Sequence, residues 1–445
     1  MRAGASWGWA NEGQGSRGDG RLGRPRQGGC AIDGLKGVAS RGWWISGLLL
    51  LATMVNYMDR QTLANLAVRI TSELRLSQEQ YGNIEFAFGW GFAIGSLVFG
   101  MLADRISVRR LYPAVLLAWS AVGVITGLSQ GYSALLVCRA ALGFFEAGHW
   151  PCALRTTQQV LSGGQRMMGN SVLQSGASLG AILTPLVIQG IVGANTAAGA
   201  WRAPFLIVGA AGVMWVIAWF ALIRRGDLQE AGSPTAEVVP RRTGWLAEFV
   251  GDRRFWALVI MVIAINSPWQ LIRAWLPKFL QQGRGYDEAT ALYFTSAYYV
   301  ATDVGCLLAG AFGLWLARRG MRAHSAKLVV FGLCAGLAAL TTVAAALPQG
   351  WLLLGVLLLV GAGSLGLFPC YYSLTQELSP QNLGKATGVL STIAWLVSAP
   401  LQKLFGRLVD QTGSFDLGLA LIGWAPLLAL GAMLLLWRRD EPQTT

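Results

Sequence analysis

Six charged residues sit inside stretches of sequence that are otherwise apolar. They are Asp59 and Arg60 in "NYMDRQ", Arg139 and Glu146 in "RAALGFFEAGHW", Arg273 in "NSPWQLIRAWLP" and Asp303 in "YYVATDVGCLLAG". A charged side chain at the centre of a membrane-spanning helix costs about 2.5–3.5 kcal/mol on insertion scales, so each must be paired, hydrated or put to use. A guanidinium holds a carboxylate through two parallel N–H donors, and a carboxylate can take up and release a proton. Together these residue types suit a polar cavity that handles an anion and a proton. The competing reading is a buried ion-pair network that holds helices together.

Spacing sharpens the picture. Arg139 and Glu146 are seven residues apart. On an α-helix they share a face but lie about 10.5 Å apart along the axis, so each must find its partner on another helix. Asp59 and Arg60 are neighbours and point about 100° apart. One can face a central cavity while the other faces an adjacent helix, with Asn56 on the side of both. Arg60 is the expected main clamp on a substrate carboxylate, and Arg139 is expected to tune Glu146. The weaker candidates are these. His149, one turn past Glu146, is a proton relay or a packed structural residue. Arg273 meets the anion at the outer mouth or snorkels to the interface. Asp303 is an inter-helix hydrogen-bonding group or a second coupling site. Glu85 contacts the vestibule or water. Tyr57, Asn266, Gln270, Tyr298, Tyr299, Tyr371 and Tyr372 are able to hydrogen-bond substrate hydroxyls, although aromatic residues at helical spacing more often pack.

The elements that would position these residues follow from composition. The 445 residues are 54% hydrophobic and 13% charged, against about 25% charged in a soluble chain. The apolar residues fall in twelve blocks between 43 and 437, each long enough to cross a bilayer. The expected fold is an all-α integral membrane protein. The net charge of +13 would suit a nucleic-acid partner, but its distribution does not. With the N-terminus inside, most Lys and Arg fall in the tails and inner loops, the bias that places both termini in the cytoplasm. The six cysteines include no CxxC pair and five lie inside predicted helices, so neither disulfides nor a metal site are expected. Residues 1–42 are rich in Gly and Arg and lack the apolar core of a signal peptide. They read as a disordered cytoplasmic tail or as an overextended start.

The polar stretch 224–254 divides the helices six and six, giving bundles at 43–223 and 255–437 and a short tail at 438–445. An internal repeat supports the division. "WPCALRTTQQVLSGGQRMMGNSVL" matches "FPCYYSLTQELSPQNLGKATGVL", pairing Pro151 with Pro369, Cys152 with Cys370 and Gln158 with Gln376. After a slip of one residue, Arg166 pairs with Lys385 and Gly169 with Gly388. Six-helix halves in parallel repeat are an arrangement of secondary transporters, with the substrate site between the halves near the midplane.

The loop "GMLADRISVRR" carries Gly100, Asp104, Arg105, Arg109 and Arg110. It resembles the signature loop of the major facilitator superfamily, and the resemblance covers residues 43–437. Gly100 is expected to allow close helix contact and Asp104 to latch the inner side. Ser107 stands where the family usually has Gly, and in the second half Ala317 stands where the Asp should be. "NYMDR" together with Arg139, Gly143, Glu146 and Pro151 in "RxxxGxxExxxxP" resembles the anion:cation symporter branch. "WLPKFLQ" and "YYVATDVGCLLAG" are most similar to its hexuronate-transporter-like members. The resemblance implies two pseudo-symmetric bundles and transport of organic anions such as sugar acids. It also implies that Asp59 and Glu146 take up protons, that Arg60 and Arg139 handle the anion, and that Gln174 contacts substrate.

The coupling needs nothing exotic. A carboxylate that loses a neighbouring cation to a substrate anion takes up a proton more readily, so anion and proton favour each other's binding. With the substrate class that the resemblance implies, the expected function is proton-driven import of a small organic anion, a hexuronate or aldonate, across the inner membrane, by a monomer with no cofactor beyond the coupling H+. The alternatives are sodium coupling or anion exchange on the same fold. A membrane enzyme is disfavoured, because the chain has no HExxH, GxSxG or P-loop motif.

Overall fold

The computed structural model describes residues 29–161, 163–193, 195–224, 226–228, 250–378 and 383–437. All secondary structure among them is helical. The first half holds α1 (Gly29–Asn65), the short α2 (Ala67–Glu73), α3 (Gln78–Arg105), α4 (Val108–Gly127), α5 (Tyr132–Glu146), α6 (His149–Val160), α7 (Gly163–Val192) and α8 (Arg202–Leu222). The second holds α9 (Arg253–Lys278), a π-helical turn (Phe279–Gly283), α10 (Glu288–Arg318), α11 (Ala323–Ala339), α12 (Thr341–Ala346), α13 (Trp351–Gly366), α14 (Phe368–Leu378), α15 (Leu383–Thr412), α16 (Asp416–Ile422) and α17 (Ala425–Leu436).

Among the described residues, ten helical stretches are long and apolar enough to cross a membrane. The two remaining passages carry Asp59 with Arg60, and Arg139 with Glu146. Asn56, Asp59 and Arg60 make α1 too polar, and α5 stops at Glu146 before α6 resumes at His149. Pro151 explains that break: it has no N–H for the Ala147 carbonyl and its ring crowds that oxygen. Its repeat partner Pro369 follows an equivalent interruption at Leu367, between α13 and α14. The first helix also differs from expectation. It begins at Gly29 rather than Trp43, since no proline interrupts the chain between them. Of the expected tails and central loop, residues 1–28, 229–249 and 438–445 lie outside the described residues.

Within the first half α3 packs along α5, and α4 along α8. Within the second, α10 packs on α13, and α9 on α15 and α17. The halves meet where α3 lies on α15 and α7 on α10. Small residues set these distances, as expected where lipid supplies no hydrophobic drive between helices. A Cβ on Gly91 or Gly95 would run into the α5 backbone at Ala140 or Phe144, and one on Gly176 or Gly180 into the α1 backbone at Leu50 or Met54. Gly100 does not act this way: a Cβ there meets nothing within 4 Å. Contact with α5 at this level is made instead by Phe99, whose ring lies 5.2 Å from that of Phe144. Outward faces are apolar, with Ile217, Leu307, Leu308, Leu428 and Leu435 all exposed, the surface that lipid covers.

One end of the bundle, the Ser77 end, is sealed by polar contacts between the halves. The Asp410 carboxylate accepts from the backbone N–H of Gln78 (2.9 Å) and Glu79 (2.7 Å) at the start of α3, where the helix dipole favours an anion. Arg407 pairs with Glu79 at 2.8 Å and Arg69 with Glu288 at 2.7 Å. Lys278 Nζ donates to Thr71 Oγ1 at 3.0 Å, and Tyr81 donates to the Ala274 carbonyl at 2.8 Å. At the opposite end lies the signature loop. Arg105 and Arg110 are exposed, while Arg109 donates to the Ile223 carbonyl (3.4 Å) and accepts at its own carbonyl from Trp219 (3.1 Å). The Asp104 side chain lies outside the described residues. Ser107 adopts φ −56°, a conformation that needs no glycine. Gly320 in the matching loop has φ +85°, where glycine is favoured.

The closest approach of a glycine to a neighbouring helix backbone gives a stability test. A Cβ on Gly143 would collide with the Phe88 backbone, and neither helix can retreat without breaking its own packing. Gly143→Val is expected to destabilise the fold by about 1–3 kcal/mol, the usual cost of overpacking. A melting temperature equal to that of the parent would contradict this packing.

Candidate functional site

The charged residues converge where α1, α3, α5 and α9 meet. Arg60 projects from α1 onto Glu146 at the end of α5. Its Nε and Nη2 donate to the same carboxylate oxygen at 3.1 and 2.9 Å, and Nη2 also reaches Asn56 Oδ1 at 3.4 Å. The guanidinium is wrapped by aromatic rings. Tyr57, Phe88, Phe92 and Trp395 have centroids 5.0, 5.1, 5.1 and 5.9 Å from it, distances at which ring faces stabilise a cation. Trp395 belongs to α15, so this enclosure is built from both halves.

Arg139, two turns before Glu146, bonds elsewhere. Its Nη2 donates to the Arg60 backbone carbonyl (3.0 Å) and to Glu85 Oε1 (3.2 Å). Glu85 is shared. Its second oxygen accepts from Arg273 Nη2 of α9 at 2.6 Å, and Arg273 Nε donates to Gln270 Oε1 at 2.9 Å. Gln270 in turn reaches Asn266 Oδ1 at 3.4 Å. The chain Arg139–Glu85–Arg273 thus crosses from one half to the other. Gln61, one turn past Tyr57, makes a second polar crossing, donating to Tyr299 of α10 at 2.5 Å. From Tyr299 a run of rings, Trp269, Phe368 and Tyr372, continues along the second half with centroid spacings of 6.2, 6.2 and 6.1 Å.

Several expectations change. Glu85 is not at a wet vestibule: it is 2% exposed, because the sealed Ser77 end and Tyr81, Phe88 and Arg273 close over it. Arg139 and Glu146 find partners on other helices, as their spacing requires: Glu85 for Arg139 and Arg60 for Glu146. Arg273 neither snorkels nor sits at the mouth but is buried against Glu85. Asp59 turns away from Arg60 as their adjacency requires, into the first bundle against Gly123 of α4, whose added Cβ would lie 3.1 Å from Asp59 Oδ1. His149 is fully buried, with both ring nitrogens engaged, Nε2 with Thr53 (3.1 Å) and Nδ1 with Tyr112 (2.9 Å). It cross-braces α1, α4 and α6. Asp303 accepts from Ser178 of α7 at 2.9 Å, an inter-helix bond between halves, and exposed Gln174 lies one turn from Ser178 on α7. Tyr298 packs on Gly361, and Tyr371 lies in the core of the second half, so neither joins the arginines. Tyr299, beside Tyr298, meets the first half instead, accepting from Gln61. Gln61, Phe88 and Trp395 went unrecognised. Gln61 was the most accessible of them, being the next polar residue after Asp59 and Arg60.

Comparison with known proteins bears on this arrangement. The sequence model of the Major Facilitator Superfamily matches residues 49–401. The chain belongs to the Major Facilitator Superfamily. It is a transporter and not an enzyme. Its relatives include a probable sulfoacetate transporter of Cupriavidus necator, 27% identical over 413 residues, spanning 87% of this chain and 92% of the relative. A hexuronate transporter of Escherichia coli is 23% identical over 429 residues, spanning 86% and 94%. Among solved structures, a bacterial homolog of the human lysosomal transporter Spinster, in an inward-facing and unoccupied conformation, superposes with a TM-score of 0.73 at 16% identity, covering 90% of this chain and 99% of the other. The expected fold, twelve helices in two six-helix bundles, is that of the superfamily.

The Arg60–Glu146 pair yields a test of its own. Both side chains are at most 5% exposed. Glu146→Ala strands the guanidinium among aromatic rings and is expected to cost about 3–5 kcal/mol of stability. The double variant Arg60→Met/Glu146→Leu, which removes both charges, is expected to recover most of that loss. Equal unfolding transitions for the single and double variants would refute the pairing.

Proposed function

We propose that this transporter imports a small organic anion of the sugar-acid type together with protons, by alternating exposure of the site between Arg60, Arg139 and Glu146. The observation that carries the reading is the two-donor hold of Arg60 on Glu146 inside an aromatic enclosure. Each partner of that pair has a natural replacement: a substrate carboxylate for Glu146 at the guanidinium, and a proton for Arg60 at the carboxylate. Exchange of both partners together is the stoichiometric logic of symport. The relatives' names, which include hexuronate, galacturonate and sulfoacetate transporters, support an acidic substrate. Asp59, buried against α4, is the second proton-carrying group in this reading. Gln174, Tyr57, Gln270 and Asn266 would meet the substrate's hydroxyls. The excess of Lys and Arg at the Gly42 end supports a cytoplasmic location for that end and for both termini, and in this reading the protein acts as a monomer in the inner membrane.

Uptake into proteoliposomes under an imposed pH gradient tests the coupling. The parent protein is expected to accumulate galacturonate or an aldonate without sodium. Glu146→Gln is expected to lose accumulation by at least about tenfold while retaining exchange between equal pools, since a neutral side chain leaves nothing to titrate. Gradient-driven accumulation by Glu146→Gln would remove Glu146 from the coupling role, and a strict sodium requirement would replace the proton.

A further inference from the structure

Around Glu85 the buried guanidiniums carry donors that no acceptor reaches, while Glu146 Oε1 at the Arg60 clamp has no donor of its own. A guanidinium offers five N–H donors and no acceptor. Arg139 uses only Nη2, leaving Nε and Nη1 without partners, and Nη1 of Arg273 is likewise unpartnered. Both residues are nine-tenths or more buried, at 2% and 5% exposure. Three guanidiniums, from Arg60, Arg139 and Arg273, share the carboxylates of Glu85 and Glu146 through hydrogen bonds, while Asp59, the third buried carboxylate, lies against Gly123 of α4. Buried donors without acceptors are costly, so the surplus suits a guest that brings several oxygens and negative charge.

We infer that Arg139 and Arg273 form a second oxyanion subsite, distinct from the Arg60 clamp and held by Glu85 in this state, so that the transported molecule is a dianion with an acidic group for each subsite. The inference rests on the reading of the protein as an acid transporter. Glu85 already displays how an oxyanion bridges the pair, one oxygen on each arginine, at 3.2 and 2.6 Å. A second carboxylate or a sulfonate reproduces that geometry. The two subsites are close enough for one small molecule. The guanidinium carbons of Arg60 and Arg139 lie 5.1 and 4.8 Å from the Phe88 centroid, so they are at most about 10 Å apart. A compound with acidic groups at its two ends spans that interval, and one with a single acidic group leaves a subsite to Glu85. Because Arg273 belongs to the second half and Arg139 to the first, the second acidic group also decides whether the halves remain tied at this level once Glu85 is displaced.

Titration calorimetry on the purified full-length protein tests this with two pairs of probes, galacturonate against galactarate and acetate against sulfoacetate. Each pair adds one acidic group to a comparable skeleton. The parent protein is expected to bind the dianion of each pair about tenfold tighter or better. Arg273→Gln is expected to bring both ratios to about one. Glu85→Gln, which frees the two arginines of their internal carboxylate, is expected to raise them severalfold and serves alone if Arg273→Gln fails to fold. Ratios near one in the parent, or ratios unmoved by either substitution, overturn the inference while leaving the acid-transporter reading intact. Absence of binding for all four probes overturns both.

Discussion

A guanidinium withdrawn from water must be given a carboxylate, and here three guanidiniums are withdrawn into the middle of one helical bundle. Much of the architecture follows from supplying them. Arg60, Glu85, Arg139 and Arg273 come from four different helices, and none has a carboxylate partner on its own helix. The backbones must therefore come close enough for short acidic side chains to bridge them. Gly143 lies four residues after Arg139 and three before Glu146, on their shared face, and α3 passes over it at Phe88, one turn from Glu85. A side chain at that glycine would push Glu85 away from Arg139. The small residue in the middle of the charged motif is thus part of the ion pairing, although it carries no charge.

The two halves share a fold and divide the chemistry unequally. Asp59, Arg60, Glu85, Arg139 and Glu146 all belong to the first half. The second contributes Arg273 and Asp303 and, beyond them, mostly rings and amides: Trp269, Gln270, Tyr299, Phe368, Tyr372 and Trp395. Charge needs a fixed, well-packed partner if it is to be tolerated at this depth, and the first half provides it through tight α3–α5 contacts. Rings and amides adapt to a guest at lower cost. The polar ties between halves at the level of the site, Glu85 to Arg273, Gln61 to Tyr299 and Ser178 to Asp303, connect the charged wall to the adaptable one.

Much of this was legible in the sequence, for definite reasons. Length and apolarity of the blocks specified the bundle, because lipid leaves few alternatives for a backbone. The costs of buried charge singled out Arg60, Arg139, Glu146 and Arg273, and the seven-residue interval showed that Arg139 and Glu146 must look elsewhere for partners. Adjacency placed Asp59 and Arg60 on different faces. What could not be read was which partner each would find. Glu85 lies near the start of its helix and looked wet; its burial comes from the seal between α3 and α15, more than three hundred residues apart in the chain. Tyr298 and Tyr299 are indistinguishable by type, and only the packing of Gly361 against one of them decides which meets the first half. His149 had the right chemistry for a relay, but its two hydrogen bonds come from α1 and α4, and nothing local announces them.

The seal at the Ser77 end has a property of its own. Where α3 crosses α15, Gly82 lies against the backbone of Gln402 and Gly406 against the backbone of Gln78. The relation is reciprocal: each helix offers a bare patch to the other's main chain. The α3–α5 crossing is built the same way, with Gly91 against the backbone of Ala140 and Gly143 against that of Phe88, but it joins helices of one half. At the Ser77 end of the α3–α15 crossing two smooth surfaces meet, held at the rim by the Asp410 and Glu79 contacts. Parting them at this end requires polar groups to trade partners for water; the interlocked rings of the same helix pair, Trp395 on Phe88 and Phe92, lie deeper. The junction is therefore tight against leakage yet shallow in relief, more like a ground-glass stopper than a zip.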